Sequence, residues 1–242
     1  VESRRGVTSW TRSIQETHAK IAATKQRTCP YNTRVALLVR NLTLAIDEPA
    51  DALLEKAARR LKVRPDEIKR HAVVRRAIDA RDKSAISFVY NVELTLSGGN
   101  KAERRVLHNL RRQDVVELVN PPVVELRPGK EPLPNRPIVV GLGPAGMFAG
   151  LWLAQRGYRP LVIDRGQGVK TRHRDVMQRF YREHDFDPES NLLFGEGGAG
   201  AYSDGKLYTR VNDPRMKAIL DVFVAHGGKK DILIDARPHL GS

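Results

Sequence analysis

The 242 residues are 40% hydrophobic, enough to build one large or two small globular units, and the single cysteine, Cys29, excludes an internal disulfide, a C-x-x-C redox pair and a cysteine-rich zinc site within the chain. The same count excludes a flavoenzyme that passes electrons through a dithiol of this chain. A net charge of +14, with 26 basic against 16 acidic residues in the first 134 positions and 16 against 12 after them, brings nucleic acid and phosphorylated ligands to the front as partners.

Residues 1–33 are basic and weakly periodic and are read as an extension without an assigned fold. Ser3-Arg4-Arg5 is followed by no apolar run, so an export signal is not expected and the cytoplasm is the expected location. From Val35 the pattern sharpens. Val35 to Val39 predicts a strand, and Pro49 opens a helix whose apolar positions are Ala50, Leu53, Leu54, Ala57, Ala58 and Leu61. Ile68 to Ile78 predicts a second strand and Ala80 to Lys83 a turn. Ile86, Phe88, Tyr90, Val92, Leu94 and Leu96 then alternate along one face of a third, which Gly98 and Gly99 end. A helix over Lys101–Arg112 and a strand over Val115–Val119 complete β-α-β-β-α-β, the ferredoxin-like order, over residues 34–119.

Residues 120–137 hold six of the 14 prolines and read as a stiff linker. The next domain, 138–242, is predicted to be the first part of a Rossmann-type fold. It has a strand at Ile138–Val140, a helix over Pro144–Arg156, a strand at Pro160–Asp164, a helix around Lys170–Glu183 and a glycine-rich stretch from Gly195 to Gly205. Only Asp231–Ile234 offers a further strand. Pro137 to Gln155 carries no charge, but Gly141, Gly143, Pro144, Gly146 and Gly150 interrupt it, so it is strand plus helix and not a membrane span.

Gly141-Leu142-Gly143-Pro144-Ala145-Gly146 is a G-x-G-x-x-G turn between a strand and a helix, the context that gives this short motif its meaning. The chain must bend sharply at Gly141, a side chain at Gly143 would strike a diphosphate, and one at Gly146 would hold helix and strand apart. Amides at the helix start, including those of Ala145 and Gly146, favour the two negative charges. Asp164, 23 residues after Gly141, stands where a carboxylate can accept ribose hydroxyls and repel a 2′-phosphate, with Arg165 beside it. In the second stretch, Gly195, Gly197, Gly198, Gly200 and Gly205 allow close approach to a ring or phosphate, and Ser203 and Asp204 can bond hydroxyls or ring edges.

Pro188-Glu189-Ser190-Asn191, the run Phe194 to Lys206, Thr209-Arg210 and Arg237-Pro238-His239-Leu240-Gly241 resemble the bacterial uncharacterised FAD-dependent dehydrogenases of the NAD(P)/FAD-dependent oxidoreductase group. Val74 to Lys83 and Phe88-Val89-Tyr90 resemble the amino-terminal domain of that family. The resemblance covers about Val35 to Gly241 and implies FAD held by Gly141, Gly143, Gly146 and Asp164, with the Gly195–Gly205 loop near the flavin. Asp164 stands where the family commonly has Glu. Family members also run further than Ser242, so the chain reads as an amino-terminal fragment, with NAD(P)H as electron donor through the part beyond it and weak or absent FAD retention by residues 1–242 alone. The family has no assigned substrate.

No catalytic side chain and no metal site is nominated; His184, His226 and His239 read as structural histidines. An NAD-dependent dehydrogenase is the alternative enzyme, and bound yellow chromophore separates the two. An RNA-binding module is the alternative from another class, since RRM domains share the order of the front domain and Arg75, Arg76, Arg81 and Lys83 could meet phosphates. Against it, Phe88 and Tyr90 lie on the face of four aliphatic residues, not on an open face.

Overall fold

The computed structural model describes residues 36–110, 114–117, 132–211, 213 and 215–240. The residues fall into two compact units, one built from the front of the chain together with Lys206–Leu240 and the other from the middle stretch that ends at Gly205. The fold is mixed α/β, with a mostly antiparallel strand complement.

In the front unit, β1 (Leu37–Ala45), α1 (Ala52–Leu61), β2 (Ile68–Asp79), β3 (Ser87–Leu96), α2 (Gly99–Leu110) and β4 (Val115–Glu117) follow in the expected order. The strands form one antiparallel sheet in the order β2-β3-β1-β4. The first strand is longer than its periodicity indicates. Between Val39 and Leu42 the register shifts, with Asn41 at φ +57°, and this bulge returns Leu42 and Leu44 to the buried face after the exposed Asn41 breaks the alternation. The first helix starts at Ala52 rather than Pro49 and ends where Lys62 turns left-handed, its N–H reaching the carbonyls of Ala58 and Arg59. Leu53, Ala57 and Leu61 of α1 and Val106 of α2 pack on Leu37, Val39, Val92, Leu94 and Leu96 to make the core. Glu103 of α2 is buried with them and accepts the Leu96 N–H at 2.9 Å.

Phe88 pairs with Leu44 and Tyr90 with Leu42, so both rings stand on the core face of the sheet. Two of the four cations considered for phosphate contact are engaged within the unit. Arg81 forks onto Asp79, and Arg76 bonds Asp231 at 2.9 Å and Asp235 at 2.8 Å.

Those last contacts correct one expectation. Asp231–Ile234 is not a strand but part of a 3-10 turn, Lys230–Leu233, with Ile232 buried. The Asp231 carbonyl accepts the Ile234 and Asp235 N–H groups, a closed turn that an extended strand could not make. The residues after it dock on the edge of β2, where Arg76 N–H reaches the Ile234 carbonyl at 2.7 Å and Ala236 N–H the Arg76 carbonyl at 2.8 Å. The stretch read from sequence as one domain, 138–242, therefore divides at Gly205, and its last part, with α5 (Arg215–Ala225), belongs to the front unit.

The middle unit opens with β5 (Ile138–Val140), α3 (Pro144–Gln155) and β6 (Leu161–Ile163), two parallel strands joined through a helix. Gly150 lets α3 lie close on β6, since a Cβ there would stand 3.1 Å from a Val162 methyl. Gly157, at φ +85°, ends the helix. Ile138, Val140, Leu161 and Ile163 face away from α3 and are exposed. Next comes α4 (Val169–Arg174), which runs on through a π-helical turn, Asp175–Phe180, to Glu183 and stops at the left-handed His184. Gly198–Tyr202 form a 3-10 turn inside the second glycine-rich stretch. The linker lies outside the described residues up to position 131, as do residues 1–33 and Arg111 and Arg112 at the end of the second predicted helix.

Candidate functional site

The first glycine turn joins β5 to α3. Gly141, at φ +98°, donates its N–H to the Ile163 carbonyl at 2.7 Å, and Gly143 is the residue from which the helix starts, with Pro144 in its first turn. A Cβ on Gly146 would lie 1.9 Å from the Gly141 carbonyl oxygen, so only glycine lets helix and turn meet there. Because α3 begins at Pro144, the amides of Ala145 and Gly146 have no carbonyl four residues back within the helix, and both point out of its start.

The second glycine stretch seats on the first, backbone to backbone. Gly197 N–H bonds the Leu142 carbonyl at 2.8 Å, and a Cβ on Gly198 would stand 3.0 Å from the Gly143 Cα. One on Gly200 would meet the Pro144 ring at 3.5 Å. Asp164 ties the two stretches together. Its Oδ2 accepts the Leu142 N–H at 2.6 Å, and its Oδ1 accepts those of Gly166 and Gly195, each at 2.8 Å. A carboxylate offers about four lone-pair positions, so three are held by backbone and one, on Oδ2, remains. Ser203 and Gly205 instead close a small turn of their own, Gly205 N–H to Ser203 Oγ at 3.2 Å, with Asp204 exposed between them. Arg165 turns to Glu189, which it holds with both Nε and Nη2, and its guanidinium lies 4.3 Å over the Phe194 ring.

Burial works to raise the pKa of Asp164, but the three amides and the charge of Arg172 outweigh it and hold the group below its ordinary 3.8. A depressed folded pKa means that the carboxylate stabilises the fold fully above the ordinary value and that this contribution fades as pH falls through the lower folded value. An Asp164→Asn substitution turns an NH₂ toward one of the three amides, and the expected cost near neutral pH is about 2 kcal/mol. Urea unfolding of wild type and variant across the acid range checks this: the two stability curves converge as pH drops below about 4, and a gap that stays constant at all pH values contradicts it.

Sequence reasoning missed the residue that shapes the second stretch. Arg172 of α4 is fully buried. Its Nε donates to the Asn191 carbonyl at 2.8 Å, Nη2 to that of Leu192 at 2.9 Å and Nη1 to that of Glu196 at 2.8 Å, with Gly195 at 3.5 Å. Tyr202 stacks over the guanidinium at 4.9 Å, and His173 lies parallel to the same ring. The Gly195 position needs glycine for this reason as well, since a Cβ would stand 2.7 Å from Arg172 Cδ. Glu196 supports the start of α4 by accepting the Val169 N–H at 2.7 Å. Asn191 holds the turn before the loop, accepting from Leu193 and Phe194 N–H and donating to the Asp187 and Pro188 carbonyls. Nothing local marks Arg172, which stands among Lys170 and Arg174 in what reads as a solvated basic helix.

Among the described residues there is no cluster of His, Cys, Asp and Glu that could hold a metal ion, and no helix is long and apolar enough to cross a membrane. In comparisons with known proteins, residues 38–95, within the front unit, match a domain of unknown function, DUF8436. A protein of Clostridium beijerinckii described only as uncharacterized is 35% identical over 208 residues, which is 86% of this chain. The chain spans 38% of that relative's length.

Proposed function

We propose that the middle unit is the start of a Rossmann-type domain that binds FAD, that the front unit is a ferredoxin-like domain, and that the whole serves a flavoprotein oxidoreductase with NAD(P)H as electron donor. What carries this reading is the meeting of two glycine stretches at the start of α3 under one carboxylate, Asp164. The residues suit the cofactor. The amides of Ala145 and Gly146 supply donors for a diphosphate at the helix start. Asp164 Oδ2 keeps one position for a ribose hydroxyl, and its negative charge disfavours a ribose 2′-phosphate. The second stretch, pinned by Arg172, closes over the turn. FAD, when bound, supplies hydride or electron transfer at its ring, while the protein supplies position and electrostatics.

Titration of the purified protein with FAD, followed by flavin fluorescence, tests the reading. FAD lost during purification is expected to return on titration, with weak but saturable binding that FMN does not reproduce, because the residues described grip the diphosphate and the adenosine half. Absence of FAD binding at any concentration, or equal binding of FMN, rejects it.

A further inference from the structure

The second helix of the front unit, α2, carries a stripe of unpaired cations. Lys101, Arg104, Arg105 and His108 stand at i, i+3, i+4 and i+7, the spacing of one line along a helix, and all four are exposed. On the opposite side Ala102, Val106, Leu107 and Leu110 pack on the sheet core, and Glu103 is buried. The stripe is therefore the outward face. Glu103, the one acid of the helix, is turned away from it and accepts the Leu96 N–H in the interior. Lys101, Arg104 and Arg105 have no acidic partner among the described residues, and the His108 ring meets the neighbouring Asn109 side-chain oxygen at 3.5 Å.

The first helix shows the contrast. In and just after α1, Lys56 pairs with Glu48 at 2.6 Å, Arg59 with Glu55 at 3.8 Å, Arg60 with Asp114, and Arg64 with Asp66 at 2.9 Å. Basic residues there serve the fold. On α2 they work against it, because Lys101 sits in the first turn at the positive end of the helix dipole, no acid stands there with it, and Lys101 and Arg105 repel as an i, i+4 pair. An anion laid along the face relieves both costs.

The stripe is about 10 Å long, at about 1.5 Å per residue, so it spans several charges of a nucleic-acid duplex, which presents one about every 1.7 Å of its axis. Among polyanions the duplex fits best. α2 exposes no ring on which an unpaired base could stack and no large apolar side chain that could enter a lipid surface. We propose that the outward face of α2 is a docking surface for duplex nucleic acid, held through its phosphates and without reading its sequence. The surface lies on the helix side of the front unit, not on the sheet face that an RRM uses, and it does not depend on FAD binding by the middle unit.

Fluorescence anisotropy of the full chain with a short labelled DNA duplex, at about 50 and about 200 mM salt, tests this in wild type, in Arg104→Gln/Arg105→Gln and in Arg59→Gln/Arg64→Gln. Both double variants lose the same charge, the first from the unpaired face and the second from paired positions. Expected in the wild type is saturable binding that weakens at the higher salt and is alike for two duplexes of different sequence. The α2 variant should lose affinity on the order of tenfold, with a salt slope lower by about 2, while the paired-position variant stays near wild type. Thermal unfolding shows that each protein is folded; glutamine is a good helix former and relieves the like-charge contacts, so the α2 variant should melt no earlier than wild type. Should it unfold, the single variants Arg104→Gln and Arg105→Gln are measured, each with an expected loss of about threefold. No wild-type binding at the lower salt, equal losses in the two double variants, a folded α2 variant with unchanged affinity, or tighter binding of phosphatidylserine vesicles than of the duplex overturns the proposal.

Discussion

A Gly146→Ala variant is expected to lose the glycine turn and, with it, the FAD binding proposed above. The added methyl would stand 1.9 Å from the Gly141 carbonyl oxygen and 2.9 Å from its carbon, and both are backbone atoms that cannot rotate aside. Gly141 cannot slide either, since its N–H is held by the Ile163 carbonyl at 2.7 Å and its φ of +98° leaves few alternatives. The helix start must therefore move off β5, and a cost of about 3 kcal/mol or more is expected from this overpacking. Gly143 supplies the control. A Cβ there meets the Gly198 Cα at 3.9 Å, an ordinary contact, so Gly143→Ala keeps wild-type stability while adding a methyl between the two glycine stretches, beside the proposed diphosphate position. Urea unfolding together with FAD titration of both variants reads the two effects apart. Wild-type stability in Gly146→Ala would show that the turn is not packed as described.

The second large effect concerns Arg172. Its guanidinium is fully buried and donates to the carbonyls of four residues, Asn191, Leu192, Gly195 and Glu196, under the Tyr202 ring. Replacement by methionine keeps most of the bulk but leaves those carbonyls aimed at an apolar side chain. An unsatisfied buried polar group costs roughly 1–3 kcal/mol, and the groups here share one site, so a total on the order of 4 kcal/mol is expected. Arg172→Lys keeps the charge but replaces a planar fork with a point donor, and it should fall between methionine and wild type. Hydrogen exchange at the amides of Glu196 and Gly197 rises first, because these hold the loop to Gln167 and to Leu142. A methionine variant with unchanged stability and unchanged exchange would mean that the second glycine stretch keeps its shape without the arginine.

Much of the front unit was readable from periodicity. Alternation from Ile86 to Leu96 and the helical spacing of Leu53, Ala57 and Leu61 gave strand and helix because each marks a face that must be buried against the other. The reading stopped short at Arg40 because a bulge adds one residue to the strand, and a period-two pattern cannot count through it. At the site, Gly141, Gly143, Gly146 and Asp164 were legible because a tight turn before a helix restricts residue type over a fixed short span. The partner of the second glycine stretch was not, because Arg172 reaches carbonyls 19 to 24 residues away in the chain. The role of Asp164 also changed in emphasis. Its position is set by the end of β6, but the amides that occupy it come from three separate segments.

By itself, then, the order of residues determined the strands and helices of residues 37–117, the β5-α3-β6 unit, its glycine turn and the carboxylate beside it, since each carries a pattern of near neighbours along the chain; the helix Arg215–Ala225 was not read from it. Tertiary structure alone decided that Lys206–Leu240 returns to the front unit through Arg76 and that Arg165, Phe194 and Phe180 wall one cavity. The physical reason is the same in each case: a hydrogen bond or an ion pair across a long loop depends on where packing brings two segments together, and no local pattern encodes that distance.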